Sequence, residues 1–194
     1  MKKLFLTAII GTLFIFSAQR AEAQHFAPSE THVMGGIGFL GTLNYGASLS
    51  RLPGAFIAVD HGTDIEAGPG TVGIGGFLGF DGASSTVSSA LFGTIKSSWN
   101  SILAGARLSW HYNDLGDSRL DVYGTVGGGI RYTQSSAETT VIGGIPASSS
   151  QSDICPYLNF NAGAKYFFSP EWAVMAELGY DIAWLKVGMA YQLP

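Results

Sequence analysis

The chain has 194 residues, a formal net charge of −4 and charged side chains at only 12% of positions, about half the usual share for a soluble domain. The acidic balance argues against nucleic acid as a partner. The one cysteine, Cys155, has no second cysteine to pair with, so no internal disulfide braces the fold.

Lys2 and Lys3 precede an apolar run, Leu4 to Phe16, and Ala21-Glu22-Ala23 stands before Gln24. A charged start, a short apolar core and an A-x-A site read as a secretory signal peptide over residues 1–23. The run is too short for the roughly 20 residues of a spanning helix. No cysteine near the cleavage site offers a lipid anchor. Residues 24–194 are then one domain. Removing Lys2, Lys3, Arg20 and Glu22 from ten basic and fourteen acidic residues leaves seven and thirteen, a net charge of −6.

No later stretch reads as a long apolar helix. Apolar residues come in short pieces broken by Gly, Ser, Asn and Asp, and glycine totals 27. An exported chain of this kind can cross a membrane as a closed β-barrel, in which every backbone polar group pairs with a neighbouring strand. Turn signals divide it into eight predicted strands, near 32–40, 55–60, 71–80, 99–112, 121–132, 155–168, 172–181 and 183–193. The expected fold is all-β, an eight-stranded antiparallel up-and-down transmembrane β-barrel. Short turns at 60–70, 113–120 and 169–171 would face the periplasm. The longer Ser-rich segments 81–98 and 134–153 would be outer loops.

Alternation with period two supports this. Ile102, Ala104, Ala106, Leu108, Trp110 and Tyr112 share one face, and Leu103, Gly105, Arg107, Ser109 and His111 share the other. Leu158 to Phe168 sets Phe160, Tyr166 and Phe168 against Asn159, Asn161 and Lys165. Trp172, Val174, Leu178, Tyr180 and Ile182 oppose Glu177 and Asp181, and Val187, Met189, Tyr191 and Leu193 oppose Lys186 and Gly188. The apolar faces end in aromatics, as membrane-interface girdles do. The first two strands are glycine-blurred and their facing stays open. The charged face points into the barrel, where Arg107, Arg131, Lys165, Glu177 and Lys186 are expected to form a paired network. A soluble barrel would instead need many charges on its exterior.

Chemical motifs are weak. Gly36, Gly38 and Gly41 match G-x-G-x-x-G, but no helix pattern follows. His25, His32, His61 and His111 lack metal-ligand spacing. No metal site, cofactor or catalytic residue is expected.

The stretches GARLSWHY, DVYGTVGGGIRY, NFNAGAKYFFSPEWAVMAELGY and WLKVGMAYQL resemble the small eight-stranded outer-membrane β-barrel family, OmpA/OmpX-like in architecture, most strongly from Ser101 to Leu193. The resemblance implies inward basic residues in the fourth and sixth strands and an acidic residue in the seventh, matched by Arg107, Lys165 and Glu177. It also implies a C-terminal signal read by the barrel-assembly machinery, matched by Lys186, Gly188, Tyr191 and Leu193. Such chains usually end on an aromatic, whereas this one ends Leu193-Pro194. No peptidoglycan-binding domain is expected after the barrel.

The expected protein is therefore a monomeric integral outer-membrane barrel with both termini in the periplasm. It is not an enzyme, and its role is structural or surface-interacting. Outer-membrane lipids surround it, the assembly machinery inserts it, and segments 81–98 and 134–153 offer a site for an extracellular ligand. The alternatives are a narrow channel for small solutes and an outer-leaflet lipid-modifying enzyme. An eight-stranded lumen holds little beyond side chains, and the histidines fall towards the periplasmic end, away from outer-leaflet lipid.

Overall fold

The computed structural model describes residues 26–42, 50–89, 93–140 and 146–194; the expected signal peptide lies outside them. The strands are β1 (Thr31–Gly41), β2 (Ser50–Arg51), β3 (Gly54–Ala67), β4 (Gly70–Ser89), β5 (Gly93–Tyr112), β6 (Leu120–Thr140), β7 (Ala147–Phe167), β8 (Trp172–Tyr180) and β9 (Ala183–Leu193). Apart from β2, each pairs antiparallel with its neighbours in sequence, and β1 pairs with β9 to close a ring of eight. The two-residue β2 pairs with β4 at Ser84 and Ala83.

Alternation decides which side each residue faces, because successive side chains of a strand point to opposite faces. The exterior carries Ile57, Ile74, Leu78, Ile102, Leu108, Val126, Ile130, Leu158, Phe160, Val174 and Leu178, all exposed. This inverts the soluble pattern: the apolar side chains look outward and the charged ones inward. The facing of the first strands is now clear. His32 and Met34 of β1 and Ala58 and Asp60 of β3 point inward, whereas Ile37, Ile57 and Val59 point outward. Aromatics ring both ends of the apolar band. Trp110, Tyr166, Phe168 and Trp172 lie at one end and Phe39, Phe80, Tyr132 and Trp184 at the other.

The end that holds residue 26 and the C-terminus has short connections. Gly68 and Pro69 turn β3 into β4, and Gly68 takes a φ of +61°, a conformation that glycine adopts without steric cost. The terminal segment folds over this end. Ser29 N–H donates to Gly62 O at 2.9 Å and Gly62 N–H donates to Glu30 O at 2.8 Å. These bonds set Phe26 into the lumen, 1% exposed and stacked on His111 at 3.7 Å between ring centroids. Gly73 makes room for it, since a Cβ there would lie 3.0 Å from the Phe26 ring.

At the opposite end the structure differs from the sequence expectation. Of the expected outer loops 81–98 and 134–153, the described residues 81–89, 93–98, 134–140 and 147–153 are strand rather than loop. β4 and β5 stay in register out to Ser89↔Gly93, β5 and β6 out to Thr94↔Thr140, and β6 and β7 out to Thr139↔Ala147. The physical reason is that both faces of these extensions meet water. No apolar alternation is needed there, and the backbone ladder begun in the barrel simply continues. β4 to β7 run 20, 20, 21 and 21 residues against 11 for β1 and β9 and 9 for β8. A spanning strand needs about 9–11. The surplus, at about 3.3 Å per residue and a tilt near 40°, raises a four-stranded wall roughly 20–25 Å beyond the apolar band. Ile182 is a second difference: it is 1% exposed and not part of the exterior face. The chain reverses there, with Ile182 N–H donating to Asp181 Oδ1 at 2.9 Å, so alternation stops.

Candidate functional site

The lumen is packed. Met34, Phe77, Leu103, Tyr123, Tyr157, Phe167, Met175 and Ile182 form one buried cluster. Among them lie seven charged side chains that join in one network, three basic and four acidic, each at most 5% exposed: Arg107, Lys165, Lys186, Asp60, Asp121, Glu177 and Asp181; a fifth buried carboxylate, Asp81, stands apart beside Arg51. Every long strand except β4 helps to build the network, directly or through His32 and Tyr123.

Arg107 on β5 reaches across the barrel to β3 and β8. Its Nη2 donates to Asp60 Oδ2 at 3.0 Å and to Glu177 Oε1 at 3.2 Å. Its Nε lies 2.9 Å from Asp60 Oδ1, an ion pair whose angle is too bent for a hydrogen bond. Tyr123 donates its hydroxyl to Glu177 Oε1 at 2.9 Å. Gly163 permits this arrangement: a Cβ there would fall 2.6 Å from Tyr123 Cζ and 2.8 Å from Glu177 Cγ. Lys186, directly opposite Glu177 in the β8–β9 register, sits 2.5 Å from Glu177 Oε2 and donates to Asp181 Oδ2 at 2.6 Å.

A second group lies towards the terminal end. Lys165 pairs with Asp121 Oδ2 at 2.8 Å, and its Nζ is 2.6 Å from His32 Nδ1. An ammonium can only donate, so His32 Nδ1 is the acceptor in that contact. His111 Nδ1 contacts Asp121 Oδ1 at 2.9 Å, and its Nε2 contacts Ser109 Oγ at 3.1 Å. The 3.9 Å approach of His111 Nε2 to Asp60 Oδ2 joins the two groups. Charges removed from water are tolerated only when paired and hydrogen-bonded in this way.

The structure brings Arg107, Glu177 and Lys186 together and keeps two expected members apart. Lys165 contacts Asp121 rather than Glu177. In the β7–β8 register Glu177 faces Gly163 and Lys165 faces Met175, which puts Lys165 one level nearer the terminal end. Arg131 has inward register between Leu103 and Cys155, but no ion pair joins it to the network among the described residues, and its Nε is buried without a hydrogen-bond partner. It lies too far along the barrel, near the mouth. Asp60, Asp121, Asp181, Tyr123 and His32 are members that sequence reasoning left out. The inward phase of Arg107 extends to His111 and pointed that way, but only ring closure shows which distant strand supplies the partner. Of the four C-terminal residues that the family resemblance singled out, Lys186 is buried. Gly188 faces Gly36 and Met175, Tyr191 packs on Trp172 at 4.7 Å between rings, and Leu193 is 44% exposed at the rim.

A closed antiparallel ring of eight strands, apolar outside and ion-paired inside, defines a membrane β-barrel. The chain belongs to the outer membrane protein beta-barrel domain family, whose model matches residues 8–190. It is a protein of the cell outer membrane. Among solved structures it is similar to Ail, the attachment invasion locus protein of Yersinia pestis, at 14% identity over 85% of this chain and 95% of that one, TM-score 0.46. It is also similar to the N-terminal β-barrel domain of Pseudomonas aeruginosa OprF, at 12% identity over 86% and 98%, TM-score 0.44. No curated protein matches the sequence.

Proposed function

We propose that this protein is a non-catalytic, monomeric outer-membrane barrel that works at the cell surface through the wall built by β4–β7. In this reading residues 1–23 direct export, Lys186, Gly188, Tyr191 and Leu193 are read by the barrel-assembly machinery, and both termini stay in the periplasm. The wall then stands outside the cell. The observation that carries the reading is the inequality of strand lengths. Structural anchoring alone needs strands of one length, yet β4–β7 run about twice as long as β8 and β9.

Two further features support it. The extension is rich in Ser and Thr, which suits polar contacts in water. Its β7 edge, from Ala147 to Asn159, has no strand partner on the β8 side among the described residues, because β7–β8 pairing begins at Phe160↔Tyr180. Such an edge presents unpaired backbone donors and acceptors to a partner. The channel alternative is weaker, because buried side chains and ion pairs fill the lumen.

Cells displaying the full chain are compared with cells whose hairpins are shortened in register, replacing 84–98 and 135–151 by tight turns. Loss of adhesion to glycan- and protein-coated surfaces in the shortened form is expected. Equal adhesion, or stable porin-like conductance of the purified barrel, would reject the reading.

A further inference from the structure

Four basic side chains have inward register in the long strands: Arg107, Arg131, Lys165 and Lys186. Three of them are ion-paired with buried carboxylates. Arg131 is not. Every Asp and Glu from Phe26 onward lies among the described residues, and none of them pairs with Arg131. The nearest by register is Asp153 of β7, opposite Thr133 and further out along the wall. It is exposed and forms no ion pair among the described residues.

The guanidinium is nevertheless built in. Arg131 stands between Leu103 of β5 and Cys155 of β7. Leu103 is fully buried, and the Nε of Arg131 is buried without a hydrogen-bond partner. On the wall side it is bordered by the hydroxyls of Ser101 and Thr133, 2.8 Å apart. On the lumen side the next inward residue of β7 is Tyr157, which donates to Asp181 at 3.5 Å. Arginine cannot shed its proton to escape such a setting. A charge partly withdrawn from water keeps its desolvation cost until an opposite charge meets it. The planar fork of a guanidinium matches two oxygens of one carboxylate, sulfate or phosphate. Arg131 is half-buried rather than sealed, and it stands at the mouth, above the packed lumen.

We propose that Arg131 anchors an anion seat at the bore mouth, taking one oxyanion (sulfate, phosphate or carboxylate) carried by a surface ligand. The inference rests on the surface-interaction reading and names the charge of the group that the ligand presents.

The full chain, refolded in detergent, is titrated by calorimetry with glucose 6-sulfate, glucose 6-phosphate and glucuronate, each against glucose. Cys155, directly across from Arg131, gives a second readout: its rate of modification by an anionic and by a cationic methanethiosulfonate of similar size. The gel shift between heated and unheated samples certifies folding of each variant. At least one charged sugar is expected to bind where glucose does not, and the three acids separate sulfate, phosphate and carboxylate as the group recognised. Arg131→Gln should weaken that binding at least about tenfold and lower the anionic-to-cationic rate ratio at Cys155 severalfold, with Arg131→Lys falling between. Asp153→Asn, which removes the nearest competing carboxylate, should strengthen binding. Lys96→Gln, at an exposed cation of the wall, should change neither readout. Binding of no charged sugar above glucose, or binding and rate ratio unmoved by Arg131→Gln, or lowered as much by Lys96→Gln, would each overturn the proposal. If shortened hairpins still abolish adhesion in that event, the surface reading stands and only the anion seat falls.

Discussion

Glu177 carries more of the lumen network than any other side chain. It accepts from Arg107 and Tyr123 and pairs with Lys186, at 1% exposure. Truncating it leaves two buried cations under-compensated, with only Asp60 and Asp181 to hold them. Breaking a buried pair from one side costs roughly 3–5 kcal/mol, because the stranded charge keeps its desolvation penalty. Glu177→Ala should therefore lower barrel stability by about that amount in urea unfolding from detergent or vesicles. Glu138 is exposed on β6 opposite Lys96, and an exposed pair contributes about 0–1 kcal/mol. Glu138→Ala should move the urea midpoint little. Equal small effects of the two variants would show that the lumen charges do not hold the barrel together.

At the level of elements, the wall and the turns make opposite demands. The wall strands past the apolar band are held by ladder hydrogen bonds, and their surplus length is not needed to close the ring. The β7–β8 turn is tight: Phe168 N–H donates to Trp172 O at 3.0 Å, and Trp172 N–H donates to Ser169 Oγ at 3.0 Å. Loop tips on a rigid frame tolerate insertion. An epitope tag between Pro146 and Ala147 should leave the barrel folded and be reached by antibody on intact cells. The same tag at Ser169–Glu171 should go unlabelled and reduce assembly. Labelling at Ser169 with none at Ala147 would invert the orientation proposed for the wall.

For the whole molecule, the exposed apolar band decides behaviour. Among the described residues, about thirty large hydrophobic side chains are exposed, far beyond what a water-soluble monomer of this size carries in contiguous patches. The protein should fractionate with the outer membrane, resist carbonate extraction and migrate differently on gels when unheated. Recovery from the periplasm in soluble form would contradict the barrel. Because Phe26, the ion pairs and the apolar cluster fill the bore, planar bilayers should show no stable large conductance steps. Reproducible steps would favour a channel.

The strand phases from Ile102 onwards were legible in the sequence because period-two alternation is a local signal, set by which face meets lipid. For the same reason Arg107, Glu177 and Lys186 could be placed inside, and the adjacency of Glu177 and Lys186 follows from one tight hairpin. Other features depend on closure of the ring. The Arg107–Asp60 pair joins strands that are not neighbours in the sheet, and the Lys165–Asp121 pair depends on the stagger between β6 and β7; neither can be read without the register. The length of the wall was also hidden. A ladder with water on both faces imposes no apolar pattern, so Ser-rich strand and Ser-rich loop look alike in one dimension. Sequence by itself determined a chain that must face lipid with one side of each strand. Tertiary structure decided which charges meet, how far β4–β7 rise, and that Phe26 closes the end from which the chain enters, because these depend on contacts between residues far apart in sequence.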